Sequence, residues 1–323
     1  MIFLQPPVIH DAEVFTSMPQ HFRRTGVRSV WADANRGGLE TDSFLEGPVF
    51  DAAGNLYVTD IPFGRIFRID PAGEWTQIAE YDGEPNGMKF LNERELILAD
   101  YKNGLVICDI ATGETRSFLA RRNSERFKGI NDLTFDSQGN LYFTDQGQSG
   151  LHDPSGRVYR LRKTGQLDLL LSNVPSPNGI VLSPNEKVLF IAVTRGNCVW
   201  RAPLMEDGSV SKVSQFFTSF GSSGPDGLAM DESGRLIVAN PGLGVAWVLN
   251  RRAEAEMVIR SPVGFLPTTV GPSLTNLAFG GPKRSTLFCT ESVTGSVLRF
   301  ELETPGVTVR NGGRDVGERG TGQ

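Results

Sequence analysis

The chain has 323 residues, 39% hydrophobic and 21% charged, which is enough apolar material for a large core and unlike a disordered chain. A net charge of −5 and a pI near 5.4, without any Lys/Arg run, exclude the basic field that nucleic acid or an anionic membrane surface requires. The 37 glycines and 19 prolines follow no Gly-X-Y period, so they read as punctuation between many short strands.

The opening stretch, MIFLQPPVIHDAEVF, lacks a basic n-region and breaks its apolar run at Pro6-Pro7. No later stretch approaches the ~20 apolar residues that cross a bilayer. A cytoplasmic protein with no membrane partner is expected. Val27-Arg28-Ser29-Val30-Trp31 then reads as a short strand.

From Glu46 onward six segments align: EGPVFDAAGNLYVTD, NGMKFLNERELILAD from Asn86, NDLTFDSQGNLYFTD from Asn131, NGIVLSPNEKVLFIAV from Asn178, DGLAMDESGRLIVAN from Asp226 and NLAFGGPKRSTLFCTE from Asn276. Their starts lie 40, 45, 47, 48 and 50 residues apart, the period of a four-stranded propeller blade. Within each unit a short apolar strand, a turn such as Gln138-Gly139-Asn140 and a second apolar strand make a hairpin. Third strands follow at Gly64–Ile69, Gly104–Cys108, Gly156–Leu161, Asn197–Arg201 and Gly295–Phe300, and fourth strands at Trp75–Ile78, Thr115–Phe118 and Leu167–Leu171. The fold expected is all-β, one six-bladed β-propeller over residues 1–308 with an N-terminal extension. Val27–Trp31 is the candidate strand that closes the ring, and the Gly- and Arg-rich tail 309–323 is expected to be disordered. The cysteines Cys108, Cys198 and Cys289 lie in separate apolar segments without C-x-x-C spacing and read as buried reduced thiols.

The first aligned column is Glu46, Asn86, Asn131, Asn178, Asp226 and Asn276, all oxygen donors. Equivalent positions on the innermost strands converge on a propeller's axis, so one column becomes a ring. Asn and Asp also favour turns, but turn chemistry does not account for a column without Gly or Ser that includes a Glu. Converging carboxylate and amide oxygens, with no His or Cys, suit a hard cation such as Ca²⁺ or Mg²⁺ rather than a zinc site of imidazole and thiolate.

Four motifs carry a family resemblance: Glu46-Gly47-Pro48-Val49-Phe50-Asp51, Asn131-Asp132 with Phe135-Asp136, Asn178-Gly179 with Ser183-Pro184, and Pro225-Asp226-Gly227. In this order the chain resembles, from about Leu45 to Phe300, the senescence marker protein, gluconolactonase and luciferin-regenerating enzyme family of propellers, and more distantly the paraoxonases and diisopropyl fluorophosphatase. The resemblance implies one divalent ion, Ca²⁺ first with Mg²⁺, Mn²⁺ or Zn²⁺ as alternatives, held by Glu46, Asn131, Asn178 and Asp226. It also implies Asp226 as general base. Asn86, Asn131 and Asn276 are the candidate substrate contacts, joined by His152 in the loop after the third blade's second strand, and Asp132 is a candidate support for Asn131.

The chain departs from the pattern at Gly129, where sugar lactonases carry an Arg two residues before the third-blade Asn. Arg126 or Lys128 is then a candidate substitute. His10, His21 and His152 fall at no repeat position, so a His dyad does not carry over. The expected function is metal-dependent hydrolysis of a small lactone or ester. The alternatives are a phosphotriesterase using the same site and a non-enzymatic binding propeller; no G-x-S-x-G elbow offers a Ser nucleophile. Phe63, Phe220, Phe265 and Leu266, in loops placed over the channel, suggest a substrate less polar than a free sugar acid.

Overall fold

Asp51 shows how each repeat turns back on itself. Its carboxylate accepts from the backbone N–H groups of Ala53 (2.9 Å) and Asn55 (2.8 Å), while Gly54 takes the left-handed conformation at φ 86°. The same side-chain-to-backbone turn recurs at Asp70, Asp136 and Asp231.

A computed structural model describes residues 5–221, 223–262, 273–308, 310–311 and 314–315. It is a six-bladed β-propeller, each blade an antiparallel meander running from the axis outwards. Blade 1 comprises Leu45–Phe50, Leu56–Asp60, Arg65–Ile69 and Trp75–Glu80; blade 2 comprises Pro85–Phe90, Glu95–Asp100, Gly104–Asp109 and Thr115–Leu119. Blade 3 follows as Ile130–Phe135, Leu141–Asp145, Gly156–Leu161 and Leu167–Val174, and blade 4 as Pro177–Leu182, Val188–Val193, Cys198–Pro203 and Ser214–Thr218. Blade 5 comprises Leu228–Met230, Leu236–Asn240, Val245–Leu249 and Ala255–Arg260. Blade 6 has Leu274–Gly280, Thr286–Glu291 and Ser296–Glu301 from the C-terminal part of the chain. The second strands of blades 1, 3 and 5 are buried at every residue, because blades cover both of their faces, and each opens with three consecutive apolar residues rather than alternating. All three cysteines are buried free thiols in this core.

The strand that closes the ring is not Val27–Trp31. Glu13–Ser17 completes blade 6, pairing antiparallel with Ser296–Glu301, and Val8–Asp11 adds a parallel fifth strand to blade 5 on Ala255–Arg260. Residues Val30–Asn35 form a short helix instead, with Ser29 as its cap accepting from the Ala32 N–H. Trp31 is buried against Phe44, ring centroids 4.7 Å apart, so within the expected strand Ser29 is a cap, Trp31 an anchor, and Val27 and Val30 are exposed. The fully buried Arg65–Asp60 ion pair fixes this crossing segment, since Arg65 also donates to the Phe22 carbonyl. In the tail, Arg310–Asn311 pairs with Arg314–Asp315, and residues 316–323 lie outside the described residues. Among the described residues no helix is long and apolar enough to cross a membrane.

Inner strands of neighbouring blades touch at the axis, and glycine makes that approach possible. A Cβ on Gly47 would lie 2.2 Å from the Asn86 carbonyl oxygen, one on Gly179 2.4 Å from the Asp226 carbonyl oxygen, and one on Gly227 2.2 Å from Asn276 Oδ1. Gly47→Ala should therefore cost roughly 2–4 kcal/mol, adding overpacking against backbone to the left-handed penalty at φ 53°. Gly26→Ala has the same left-handed demand (φ 73°) with nothing within 4 Å and should cost only about 1–2 kcal/mol. Urea unfolding compares the two; equal losses would mean that axial packing is not what Gly47 serves.

Candidate functional site

The first residue of each aligned repeat arrives at the axis because it lies near the start of its blade's innermost strand, inside the strand in five blades and, for Asp226, just ahead of Leu228–Met230. Glu46, Asn86, Asn131, Asn178 and Asp226 all line one cavity of about 310 Å³ at one mouth of the channel. Asn276, the sixth, turns its amide to Glu46, its Nδ2 donating to Oε2 at 2.8 Å. Glu46 is only 2% exposed, and the same Oε2 also accepts from the Gly47 N–H at 2.8 Å.

This arrangement is electrostatically unfavourable for the protein alone. Burial pushes the Glu46 carboxyl up to about 7 despite the Gly47 and Asn276 hydrogen bonds, and Asp132 adds to the rise. Burial also holds Asp226 well above the usual carboxylate range; the charge of Glu46 adds to this, while the Asn178 side chain opposes it by hydrogen bonding to Asp226. Meanwhile Asn86 Oδ1 and Asn131 Oδ1 are buried without a hydrogen-bond partner. Asn131 donates its Nδ2 to Gln146 Oε1 at 3.0 Å, which leaves its carbonyl oxygen as the unpaired atom. Two mutually repelling carboxylates beside two orphaned amide oxygens form a donor set that a hard divalent ion fits, since it would offset the charge and accept the lone pairs. Among the described residues no three His, Cys, Asp or Glu side chains gather as a metal-binding cluster; here two carboxylates are supplemented by amides.

Asp132 does not sit as a prop for Asn131. It replaces the glycine found after the ring residue in blades 1, 2, 4 and 5, and its carboxylate occupies the space beside Gly87, where a Cβ would lie 2.2 Å from Asp132 Oδ1. It accepts from the N–H groups of Leu133 and Ile180 and from the Asn276 side chain, with Lys89 offsetting its charge. A third carboxylate thus stands in the channel.

A second column also escaped the sequence reading, although its residues end the same aligned segments. Asp60, Asp100, Asp145, Asn240 and Glu291 close the second strands of five blades and are buried. Asp60 accepts from the Phe44 N–H (2.6 Å), Asp145 from Gly129 (2.9 Å) and Glu291 from Ser273 (2.8 Å), so each ties down the chain just before a ring residue. Their recurrence at one repeat position was the available signal.

The remaining candidate residues fall in different places. His152 is exposed in its loop and is not among the cavity-lining residues. Neither Arg126 nor Lys128 lines the cavity, and Lys128 bonds Ser155 instead. At Gly129 a Cβ would lie 2.5 Å from the ring of Tyr101, so that glycine lets Tyr101 enter the cavity wall. Phe63 and Phe220 do not line the cavity, and Phe265 and Leu266 lie outside the described residues. The apolar wall comes instead from the N-terminal extension and its neighbours, with Trp31, Leu39, Phe44 and Ile61 joining Tyr101.

Residues 44–293 match the model of the SMP-30/Gluconolactonase/LRE-like region. The lactonase drp35 of Staphylococcus aureus (strain USA300) is 29% identical over 259 residues, covering 76% of this chain and 74% of that protein. Among solved structures, a calcium-binding protein, regucalcin, from Agrobacterium tumefaciens superposes with a TM-score of 0.73 at 21% identity, covering 94% of this chain and 97% of its own. A gluconolactonase from Xanthomonas campestris superposes with a TM-score of 0.66 at 19% identity, covering 94% of this chain and all (100%) of its own.

If the donor set holds a divalent ion, its charge count governs affinity, and Glu46→Gln should weaken Ca²⁺ binding by about tenfold or more. Isothermal titration calorimetry checks this, and unchanged affinity would remove Glu46 from the ligand set.

Proposed function

The chain belongs to the SMP-30/gluconolactonase/LRE-like family, and on that premise we propose that it is a metal-dependent lactonase that opens a lactone ring to its hydroxy acid. The observation that carries this reading is the forced proximity of Glu46 and Asp226 beside the unpaired oxygens of Asn86 and Asn131, an arrangement a scaffold protein would not need. The activities named for the Staphylococcus and Xanthomonas proteins support lactone hydrolysis as the reaction class. The calcium of the Agrobacterium protein supports Ca²⁺ ahead of Mg²⁺, Mn²⁺ or Zn²⁺ as the ion.

Glu46, Asn131, Asn178 and Asp226 would hold the ion, with Asn86 offering a further oxygen. When bound, it supplies positive charge that keeps both carboxylates ionised and polarises the lactone carbonyl. Asp226 is the general base: of the two carboxylates that line the cavity it is the less buried, so its carboxylate can accept a proton from an attacking water. The water oxygen bonds to the acyl carbon, the ring C–O bond breaks, and the proton held by Asp226 passes to the departing ring oxygen. Asn276 keeps Glu46 in place by its hydrogen bond, and Asn178 orients Asp226. Trp31, Phe44 and Tyr101 form the apolar wall that shields the reacting centre from bulk water.

Asp226→Asn keeps an oxygen donor while removing the base. Turnover of a lactone should fall by roughly 10²–10⁴-fold under saturating ion while binding of the ion persists at reduced affinity. Near-parental turnover with the ion bound would make Asp226 a ligand only. Chelation of the parent protein should abolish turnover, and added Ca²⁺ should return it.

A further inference from the structure

Two guanidinium groups face the cavity and have no part in the ring. Arg36 caps the helix Val30–Asn35 at its C-terminal end, and Arg195 lies in the 3-10 turn Thr194–Gly196 of blade 4; both line the cavity. Among the described residues neither guanidinium forms an ion pair or a hydrogen bond, and Arg36 Nε is buried without a partner. Other buried or half-buried arginines are engaged, Arg65 with Asp60, Arg160 with Asp168 and Arg235 with Asp231.

Arg36 is held in its half-buried place by the Phe44 ring, 5.3 Å from its guanidinium carbon. Burial pulls its pKa down, and the carboxylate that offsets this, Glu291, is already saturated: it accepts from the N–H groups of Ser273 (2.8 Å), Thr294 (2.8 Å) and Val293 (3.2 Å) and from the Thr294 hydroxyl. The ring carboxylates are committed to a divalent ion on the reading above, so they are not free to neutralise the arginines. What remains at the mouth is positive charge without a hydrogen-bonded partner, beside an apolar wall. A planar, permanently charged fork aimed at a cavity is suited to a carboxylate or phosphate.

We infer that Arg36 and Arg195 bind an anionic substituent of the substrate, so that the lactone taken by this site carries a carboxylate or phosphate group. That the substrate is a lactone, and that the ring carboxylates are taken up by an ion rather than by the arginines, rest on the proposed function. The two arginines are positioned for recognition; Arg36 has no part in the proton transfer assigned to Asp226, whereas the charge of Arg195 also favours the ionised form of that carboxylate.

The test uses the Ca²⁺-loaded protein and three versions of one γ-lactone, bearing a ring carboxylate, a phosphate ester or a neutral carboxamide. The parent should show kcat/KM about 10–100-fold higher for at least one anionic lactone than for the carboxamide, the range expected of charge-assisted hydrogen bonds. Whichever anion is preferred identifies the group. Arg36→Gln and Arg195→Gln should each cut that preference about tenfold, mainly through KM, with Arg36→Lys recovering part of it; an unchanged thermal midpoint separates this from misfolding. Equal kcat/KM for all three lactones, or Gln variants that keep the parent's preference, would overturn the inference. Calorimetry of the same lactones keeps the two readings apart. Arginine-dependent binding of an anionic lactone without hydrolysis would sink the lactonase reading and leave the anion site standing. Hydrolysis without anion preference would do the reverse, and failure to bind any anionic lactone would overturn the anion site whatever the turnover.

Discussion

The contact on which the molecule depends is the one between inner strands at the axis. Six strands can meet around a narrow channel only if something small lies between them, and Gly47, Gly87, Gly179 and Gly227 leave no room for even a methyl group. Hydroxyl groups then lock the junctions. Thr59 donates to the Asn86 carbonyl (2.9 Å), Thr144 to that of Asn178 (2.8 Å) and Thr194 to that of Pro225 (2.8 Å). At the closing junction Thr275 and Ser292 both donate to the Leu45 carbonyl (2.9 and 2.7 Å). Each bond is worth only about 0.5–1.5 kcal/mol net, but each satisfies a buried carbonyl that would otherwise be costly.

That packing also explains why the site is reactive. The residue before each axial glycine has nowhere to go but the channel mouth, so the fold brings together side chains that would repel or stay unsatisfied elsewhere. Asp60, Asp145 and Glu291, at the ends of their second strands, pin the backbone just before Glu46, Asn131 and Asn276. The unfavourable charge is thus supported by hydrogen bonds around it, and a bound cation would relieve it.

The repeat was legible because its causes are local: Asp and Gly in the turns, apolar pairs of strands, and one oxygen-bearing column at a constant period. The ring could be located on the same basis, since equivalence in sequence becomes proximity when blades surround an axis. What was not legible lies off the repeat. Glu13–Ser17 and Val27–Trp31 are both short and partly apolar, and only the pairing with Ser296–Glu301 distinguishes strand from helix. Asp132 looked like a support for its neighbour because adjacency along a strand suggests it; its carboxylate instead meets the Leu133 and Ile180 N–H groups and the Asn276 side chain. Arg36 lies outside the repeats and reaches the cavity through a helix that the strand reading had erased.

The division between repeat and non-repeat is also a division of labour. Six blades supply a ring of oxygens at equivalent positions, and symmetry alone would make it six identical donors. Acidic residues at positions one and five break that symmetry, giving the ring two charges rather than six amides, and Asp132 breaks it again at a position where four other blades have glycine. The N-terminal extension adds what no repeat can: Trp31, Arg36 and Leu39 cover one side of the mouth and have no counterparts on the others. Because this segment is anchored by Arg65 to the Phe22 carbonyl and by Trp31 on Phe44, rather than by the axial packing, it can change without disturbing the channel. Substrate choice can therefore diverge in a segment outside the blades while the oxygen ring, fixed by glycine and hydroxyl contacts, stays as it is.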